Sequence, residues 1–412
     1  MRNIWKISIL PVIILFSCGS PNYLSEFDLS ETYESDAHQY KLSTSFHSIN
    51  DSISELCINI NPNDFLYTKT TSNNHLARYA IKYKIFTGYD EKSPIDSASI
   101  HYSLKRNINN NQKSHRIKTY APLGKDYIVK IILQDENRKF KVSKIQTLRK
   151  KHTSSRSYYK IEGINNNNLT QHQTTDFKIS KHSKEQQYLK IMRFESKMTS
   201  APKPHAVSYA YKLSKVPDST WFVVSDSSLT LPGLKNHYYH FVTDTNNNNG
   251  FSVFCNQKEF PKVSSIEHCS NALGYLLGKP EYAELLRTKT PRKEFEKKWI
   301  TLAGNRERAR KLISEYYKEV SIANQLFTCN QPGWSTDRGM IYILFGPPRI
   351  VYRYDNSETW IYGEENNLLS EQFRFNKINT DIADNIFELN RNINYKVSYN
   401  RMVNTWIDDK GY

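Results

Sequence analysis

Gly333-Trp334-Ser335-Thr336-Asp337-Arg338-Gly339, continuing as Met340-Ile341-Tyr342-Ile343-Leu344-Phe345-Gly346-Pro347-Pro348, is the stretch on which the reading of the fold depends. Its β-prone residues run between two corners marked by glycine, so it reads as a buried strand entered and left by tight turns. At the first corner the short oxygen-bearing side chains of Asp337 and, more weakly, Thr336 are suited to accept hydrogen bonds from backbone N–H groups one or two residues on. Trp334 offers a large ring to bury, and Arg338 a fork that pairs with a carboxylate or with C-terminal carbonyls. Two roles fit these residues. They hold a loop against the elements before it, or they present a polar binding site at a rigid corner.

Working outward, Phe295-Glu296-Lys297-Lys298-Trp299, Glu315-Tyr316-Tyr317 and Ala323-Asn324-Gln325-Leu326-Phe327 precede the corner, and Glu358-Thr359-Trp360-Ile361-Tyr362 and Gln372-Phe373-Arg374-Phe375 follow it. Taken together, residues 291–390 resemble the GWxTD-domain proteins, a lipoprotein-rich bacterial family. The resemblance rests on the run Gly333, Trp334, Thr336, Asp337, Arg338 and Gly339, and on Gly346, Pro347 and Pro348 at the far corner. Arg349-Ile350 departs from the pattern, because an acidic residue usually follows the double proline there. The resemblance implies helices leading into the corner and strands after it, and it carries no catalytic residue.

The chain has 412 residues, enough for two to four domains, and its formal net charge is +16. Hydrophobic residues make up only 38%, yet aromatics reach 13% with 28 Tyr, a balance that suits tyrosine-rich β-structure and excludes general disorder. So basic a chain is drawn to anionic lipid, polyanionic glycan or an acidic protein. The densest run, Lys139 to Lys160, contains Lys141, Lys144, Arg149, Lys150, Lys151 and Arg156 and no acid. It reads as a solvated strand face or linker, or as an electrostatic contact with a membrane surface.

Residues 1–17 have the form of a lipoprotein signal peptide. Arg2 and Lys6 supply a positive start, Ile9 to Phe16 an apolar run too short to span a bilayer, and Leu15-Phe16-Ser17-Cys18 a lipobox. Cleavage before Cys18 frees an amine and a thiol for acylation, and two or three chains give stable attachment. Residues 18–30 then read as an acylated leash, and the body is expected in the cell envelope, most simply at the outer membrane. Nucleic acid is an unexpected partner in that compartment.

The body reads as mainly β with an α+β C-terminal domain: two antiparallel β-sandwich-like modules, residues 31–150 and 151–260, followed by helices packed on a small sheet over residues 261–412. Strands are expected at 54–60, 77–86, 97–104 and 126–133 in the first module, and at 205–212, 220–224, 238–243 and 250–255 in the second. Past Pro261, Ser264 or Ser265 caps a helix carrying Ile266, Leu273, Leu276 and Leu277 that stops at Gly278. Pro291 opens a second helix, and 305–327 a third whose Ala309, Leu312, Tyr316, Val320 and Phe327 share one face. Strands follow at 349–354, 358–362 and 371–375, and the closing 400–409 reads as a short helix or tail with Trp406 docked.

Catalytic and metal motifs are sparse. Ser157-Tyr158-Tyr159-Lys160 has SxxK spacing on an expected strand, where the two side chains fall on opposite faces, and His237 and His240 diverge for the same reason. The run from Asp244 to Gly250 has one acid and four amides like a calcium loop, but Gly250 comes one place late and Cys255 stands where the bidentate Glu belongs. Cys57, Cys255, Cys269 and Cys329 form no CxxC pair; Cys255 and Cys269 are candidates for a disulfide or buried thiols. No cofactor or metal is expected. The sequence therefore points to a non-enzymatic lipoprotein that binds or assembles with another envelope protein, with a glycan- or peptidoglycan-directed enzyme or a carbohydrate-binding protein as alternatives.

Overall fold

A computed structural model describes residues 23–34, 42–70, 74–106, 112–138, 140–162, 168–171, 173–181, 188–196, 200–206, 216–225, 227–244, 249–380, 382–383 and 385–408. Cys18, the segment before it and Lys139 lie outside the described residues, as does most of the strand expected at 205–212.

The first module contains β1 (Ser43–Ser48), β2 (Ile53–Ile60), β3 (Thr68–Lys69), β4 (His75–Phe86), β5 (Asp96–Lys105), β6 (Lys113–Tyr120), β7 (Tyr127–Asp135) and β8 (Phe140–Leu148). One sheet runs β1-β2-β6 and the other β3-β4-β7-β8, with β5 on β4, all antiparallel. Alternation drives the pairing: Leu56, Ile58 and Ile60 of β2 point inward with Tyr79, Ile81 and Ile85 of β4 and Val129 and Ile131 of β7.

The second module holds β9 (Tyr159–Glu162), β10 (Asn168–Thr170), β11 (Thr174–Lys181), β12 (Tyr188–Glu195), β13 (Ser219–Val224), β14 (Ser228–Pro232), β15 (His237–Asp244) and β16 (Asn249–Asn256). Its sheets run β10-β16-β15-β12-β13 and β14-β11-β9, and they close on Leu189, Ile191, Tyr239, Phe241 and Val253. The strands expected at 238–243 and 250–255 are β15 and β16, which pair antiparallel with Phe241 opposite Phe251.

The third part is helical first, with α1 (Ile266–Leu273), α2 (Lys279–Arg287), α3 (Pro291–Ala303), α4 (Arg306–Phe327), α5 (Asp337–Phe345) and α6 (Tyr395–Asp408). The antiparallel sheet β17 (Ile350–Arg353), β18 (Ser357–Tyr362), β19 (Glu371–Lys377) and β20 (Phe387–Leu389) runs in that order. Ser265 caps α1 by accepting from the His268 amide, and Asn305 caps α4 from Arg308. The helix α2 was not expected. Its Pro280 sits in the first turn, where the missing N–H costs nothing, so the proline starts a helix rather than marking a stop.

Two expectations are overturned. The stretch Met340–Phe345 is not a strand but the last two turns of α5, buried on every side. A fully buried helix shows no polar face, so its apolar run looks like that of a buried strand. The ends carry the helical signal: the Thr336 hydroxyl accepts from the Gly339 amide at 3.0 Å, and Gly346, with φ of 75°, closes the helix ahead of Pro347.

The second correction concerns the leash. Residues 23–33 fold onto the C-terminal part, with Leu24, Leu29 and Tyr33 buried in the same core as Trp299, Tyr316 and Trp360. The Ser25 amide donates to the Tyr89 carbonyl at 2.9 Å and the Leu29 amide to that of Val351 at 2.8 Å, while Asp28 accepts from the Val351 amide at 2.9 Å. Phe86 and Tyr89, at the end of β4, and Ile128 of β7 belong to this core too, which ties the first module to the C-terminal part. No helix among the described residues is long and apolar enough to cross a membrane.

Candidate functional site

The motif corner is built on α4. Gly333–Ser335 forms a 3-10 turn laid so closely on α4 that a Cβ on Gly333 would sit 2.0 Å from the Ala323 carbonyl oxygen. A Cβ on Gly339 would in turn lie 1.9 Å from the Gly333 oxygen. Trp334 is wholly buried; its amide donates to Asn324 Oδ1 at 3.1 Å and its carbonyl accepts from the Tyr275 hydroxyl at 3.0 Å. Thr336 donates to the Gly333 carbonyl at 2.7 Å while capping α5.

From this corner Asp337 and Arg338 enter two separate ionic networks. Asp337 accepts from the Leu389 amide at 2.7 Å and from Arg391 Nη1 at 3.0 Å, which clamps α5 to β20 and the segment after it. Its partners are thus distant in sequence; the local turn bonds expected of it are made by Thr336. Burial pushes the Asp337 carboxyl up, opposed by Arg391 and the Leu389 amide.

Arg338 finds the carboxylate expected for it, on β18. Its Nη1 donates to Glu358 Oε2 at 3.0 Å and its Nη2 to the Asn385 carbonyl at 3.0 Å, while the guanidinium lies 4.0 Å from the Phe387 ring centre. Glu358 is completely buried and is shared: it accepts from Arg353 Nε at 3.0 Å, Trp360 Nε1 at 2.7 Å and the Tyr33 hydroxyl. Burial alone would raise its pKa, but Arg353, Arg338 and the hydrogen bonds from Tyr33 and Trp360 hold it below the usual carboxylate value. Glu358, Arg353, Arg391 and Tyr33 were not singled out from sequence. Tyr33 is over 300 positions away from its carboxylate, and the alternation of β18 marks Glu358 only as a residue on one face.

These networks are closed to solvent and hold the fold. Beside them lies a small cleft between the corner and the β15–β16 hairpin, with room for only about two waters. Its wall includes Trp334, His268, Gln257, Asn236 and Asn324, with Lys262 at the edge, and no Asp or Glu. Burial lowers the His268 imidazole to about 4, so it is neutral near pH 7.

The hydrogen-bonding corner, the buried Arg338–Glu358 pair and the helical approach fall within residues 237–408, which match the family model of the GWxTD domain. The chain contains a GWxTD domain. A comparison with curated proteins finds no match. The GWxTD domain as matched opens at β15, so it takes in the hairpin that forms one side of the cleft.

Outside the GWxTD domain the other sequence candidates disperse. Ser157 is buried and donates to the Arg149 carbonyl at 2.9 Å, while Lys160 pairs with Glu162. His237 meets Asp218 at 3.1 Å and His240 meets Ser252 at 3.0 Å, on different faces of β15. No group of metal-binding side chains occurs among the described residues. Cys57, Cys255, Cys269 and Cys329 are all free thiols, so the Cys255–Cys269 disulfide is absent. In the basic run, Lys150 is buried and donates to the Asn50 carbonyl at 2.9 Å, and burial lowers Lys144 to about 8 and Arg156 to about 10. Lys141 pairs with Glu31 at 2.7 Å. Lys141, Lys151 and Lys160 are exposed while Lys150 is buried, so the described part of the run is not one solvated cationic face.

Proposed function

We propose that the protein is a cell-envelope lipoprotein, anchored through Cys18 to the outer membrane, that binds another envelope component through a rigid C-terminal body. The observation that carries this reading is the docking of residues 23–33 into the core of the GWxTD domain. Only a short connector separates Cys18 from Tyr23, and at roughly 3.5 Å per residue its full extension is about 17 Å. An acyl anchor on Cys18 would therefore hold the GWxTD domain against the membrane surface, rather than let it range on a long tether. Confinement of that kind raises the effective concentration of partners in the same membrane.

Binding is favoured over hydrolysis by the cleft, whose lining among the described residues lacks the facing carboxylates that glycan hydrolysis requires. The lipid-surface contact proposed for Lys139 to Lys160 is carried by its exposed members, Lys141, Lys151 and Lys160. Fractionation of cells expressing wild-type and Cys18→Ser protein, with metabolic labelling by palmitate, tests the proposal. Label and membrane association in the wild type, both lost in the variant, are expected; an unlabelled wild-type protein in the cytosol would overturn it.

A further inference from the structure

The loop between β18 and β19 turns two adjacent leucines to solvent. Leu368 is fully exposed and Leu369 is 91% exposed. The loop that carries them is nonetheless held in shape, because the Leu369 amide donates to Asn367 Oδ1 at 2.9 Å and Ser370 Oγ to the Glu364 carbonyl at 2.8 Å. Exposed leucines scattered singly are ordinary, whereas a pair beside further exposed aliphatic side chains marks a surface that meets something. The further ones are Val397 of α6, 76% exposed, and Ile393 just before that helix, 63% exposed.

Hydrogen bonds bring the loop and the helix together. Ser398 donates to Glu371, two residues beyond Leu369, and the Tyr395 hydroxyl donates to the Gln372 carbonyl at 2.9 Å. The start of α6 therefore lies along the root of the loop. Ser398 and Tyr399 are buried, which leaves Val397 on the outer crest of the helix. Cations flank that crest. Lys396 and Arg401 are exposed and form no ion pair among the described residues, and Lys203 Nζ stands 5.1 Å from the centre of the Tyr399 ring. The loop itself carries Glu364 and Glu365, so the positive charge comes from α6 and its flank.

The N-terminal segment identifies the occupant. Asp28 accepts from the Val351 amide at 2.9 Å, and Tyr352, next along β17, donates its hydroxyl to Glu365 at 2.7 Å, at the base of the loop. The chain that leads on from Cys18 thus passes the same end of the sheet. Aliphatic side chains flanked by Lys and Arg, close to the path of a lipid-anchored segment, suit a bilayer surface. Its acyl boundary takes the aliphatic groups and its phosphates take the cations.

We propose that Leu368, Leu369, Ile393 and Val397 dip into the surface of the bilayer while Lys396 and Arg401 meet lipid phosphates. The proposal rests on the membrane reading above and deepens it, since the patch gives the body one orientation on the membrane that acyl chains on a short connector do not impose.

The test places an environment-sensitive fluorophore on Leu369→Cys in the full-length acylated protein, reconstituted in phosphatidylethanolamine–phosphatidylglycerol vesicles with and without nitroxide-labelled lipid. Burial raises the thiols of Cys57, Cys269 and Cys329 to about 11 and that of Cys255 to about 12, so the introduced thiol is the one labelled near neutral pH. Ser99→Cys, exposed on β5, is the control position. A blue shift and nitroxide quenching at position 369, with neither at position 99, are expected. Leu368→Ser, and Lys396→Glu with Arg401→Glu, alter exposed side chains and should each remove most of the quenching at 369. Emission at 369 that stays as in water, a shift without nitroxide quenching, which would assign the patch to a protein partner, or quenching unchanged in both variants would overturn the proposal. The same labelled protein on a Cys18→Ser background, added to vesicles from solution, keeps the two readings apart. An acylated Cys18 with no signal at 369 sinks the patch alone, and an unmodified Cys18 with the signal present sinks the anchor alone.

Discussion

Replacing Glu358 by Gln removes one charge and almost no volume from the centre of the C-terminal core. In the native protein this carboxylate accepts from Arg338 and Arg353 at 3.0 Å each, from Trp360 at 2.7 Å and from Tyr33. The glutamine amide retains one acceptor oxygen and turns an N–H2 toward guanidinium groups that have no other carboxylate among the described residues. Breaking a buried ion pair by removing one partner costs about 3–5 kcal/mol. For a body of this size each kcal/mol is about 2–4 °C, so the melting temperature should fall by roughly 6–20 °C. Differential scanning calorimetry of the full-length protein reads this directly. Adding Arg353→Met to Glu358→Gln removes one of the stranded cations, so the double variant should lose less than the sum of the single ones. A single-variant loss below about 1 kcal/mol, or strict additivity, would refute the view that this network fastens the N-terminal segment, α5 and β18 together.

Other outcomes follow from the same geometry. Gly339→Ala drives a methyl group into the Gly333 carbonyl and should cost about 1–3 kcal/mol or more by thermal melting, whereas Gly304→Ala, with φ of 81° but open space, should cost only the backbone strain of about 1 kcal/mol. Acid should destabilise the C-terminal body in two steps. His268 is depressed from 6.5 to about 4, so the unfolded chain gains its proton first and stability falls as pH drops from 6.5 toward 4. Glu358 is depressed below 4.5, so its contribution is present above that value and is lost as pH falls through the folded one. Melting curves across pH in wild type and His268→Gln should differ in the first step only. Burial raises Cys255 to about 12 and Cys269 to about 11, so native protein should react slowly with thiol reagents at pH 8, and non-reducing peptide mapping should find both unpaired.

Much of the architecture was legible because its patterns are local. The alternation of β2, the cap at Ser265 and the face of α4 all declare themselves within a few residues. Where the reading failed, the cause was burial or distance. In α5 a helix buried on all sides shows no polar face, and the decisive signs were a capping threonine and a closing glycine rather than the apolar run between them. The helix α2 escaped notice because Gly278 reads as a stop, although Pro280 just beyond it fits the first turn of a new helix. The packing of Leu29 and Tyr33 against Trp360 joins the two ends of the chain, and no local pattern reports a contact across that separation. Asp337 and Arg338 of the corner meet Arg391 and Glu358, which approach from beyond β20 and from β18, so the networks they join could not be read locally. The cleft was illegible for the same reason, since His268, Asn236 and Trp334 come from three separate elements.

The claim on which the functional account depends is tested most directly by mass spectrometry of the N-terminal peptide of the full-length product recovered from membranes. Cys18 should be the first residue, carrying acyl chains on its thiol and amine, with Tyr23–Tyr33 protected from protease in the intact protein. Recovery of an unmodified chain beginning before Cys18 from the soluble fraction would contradict it.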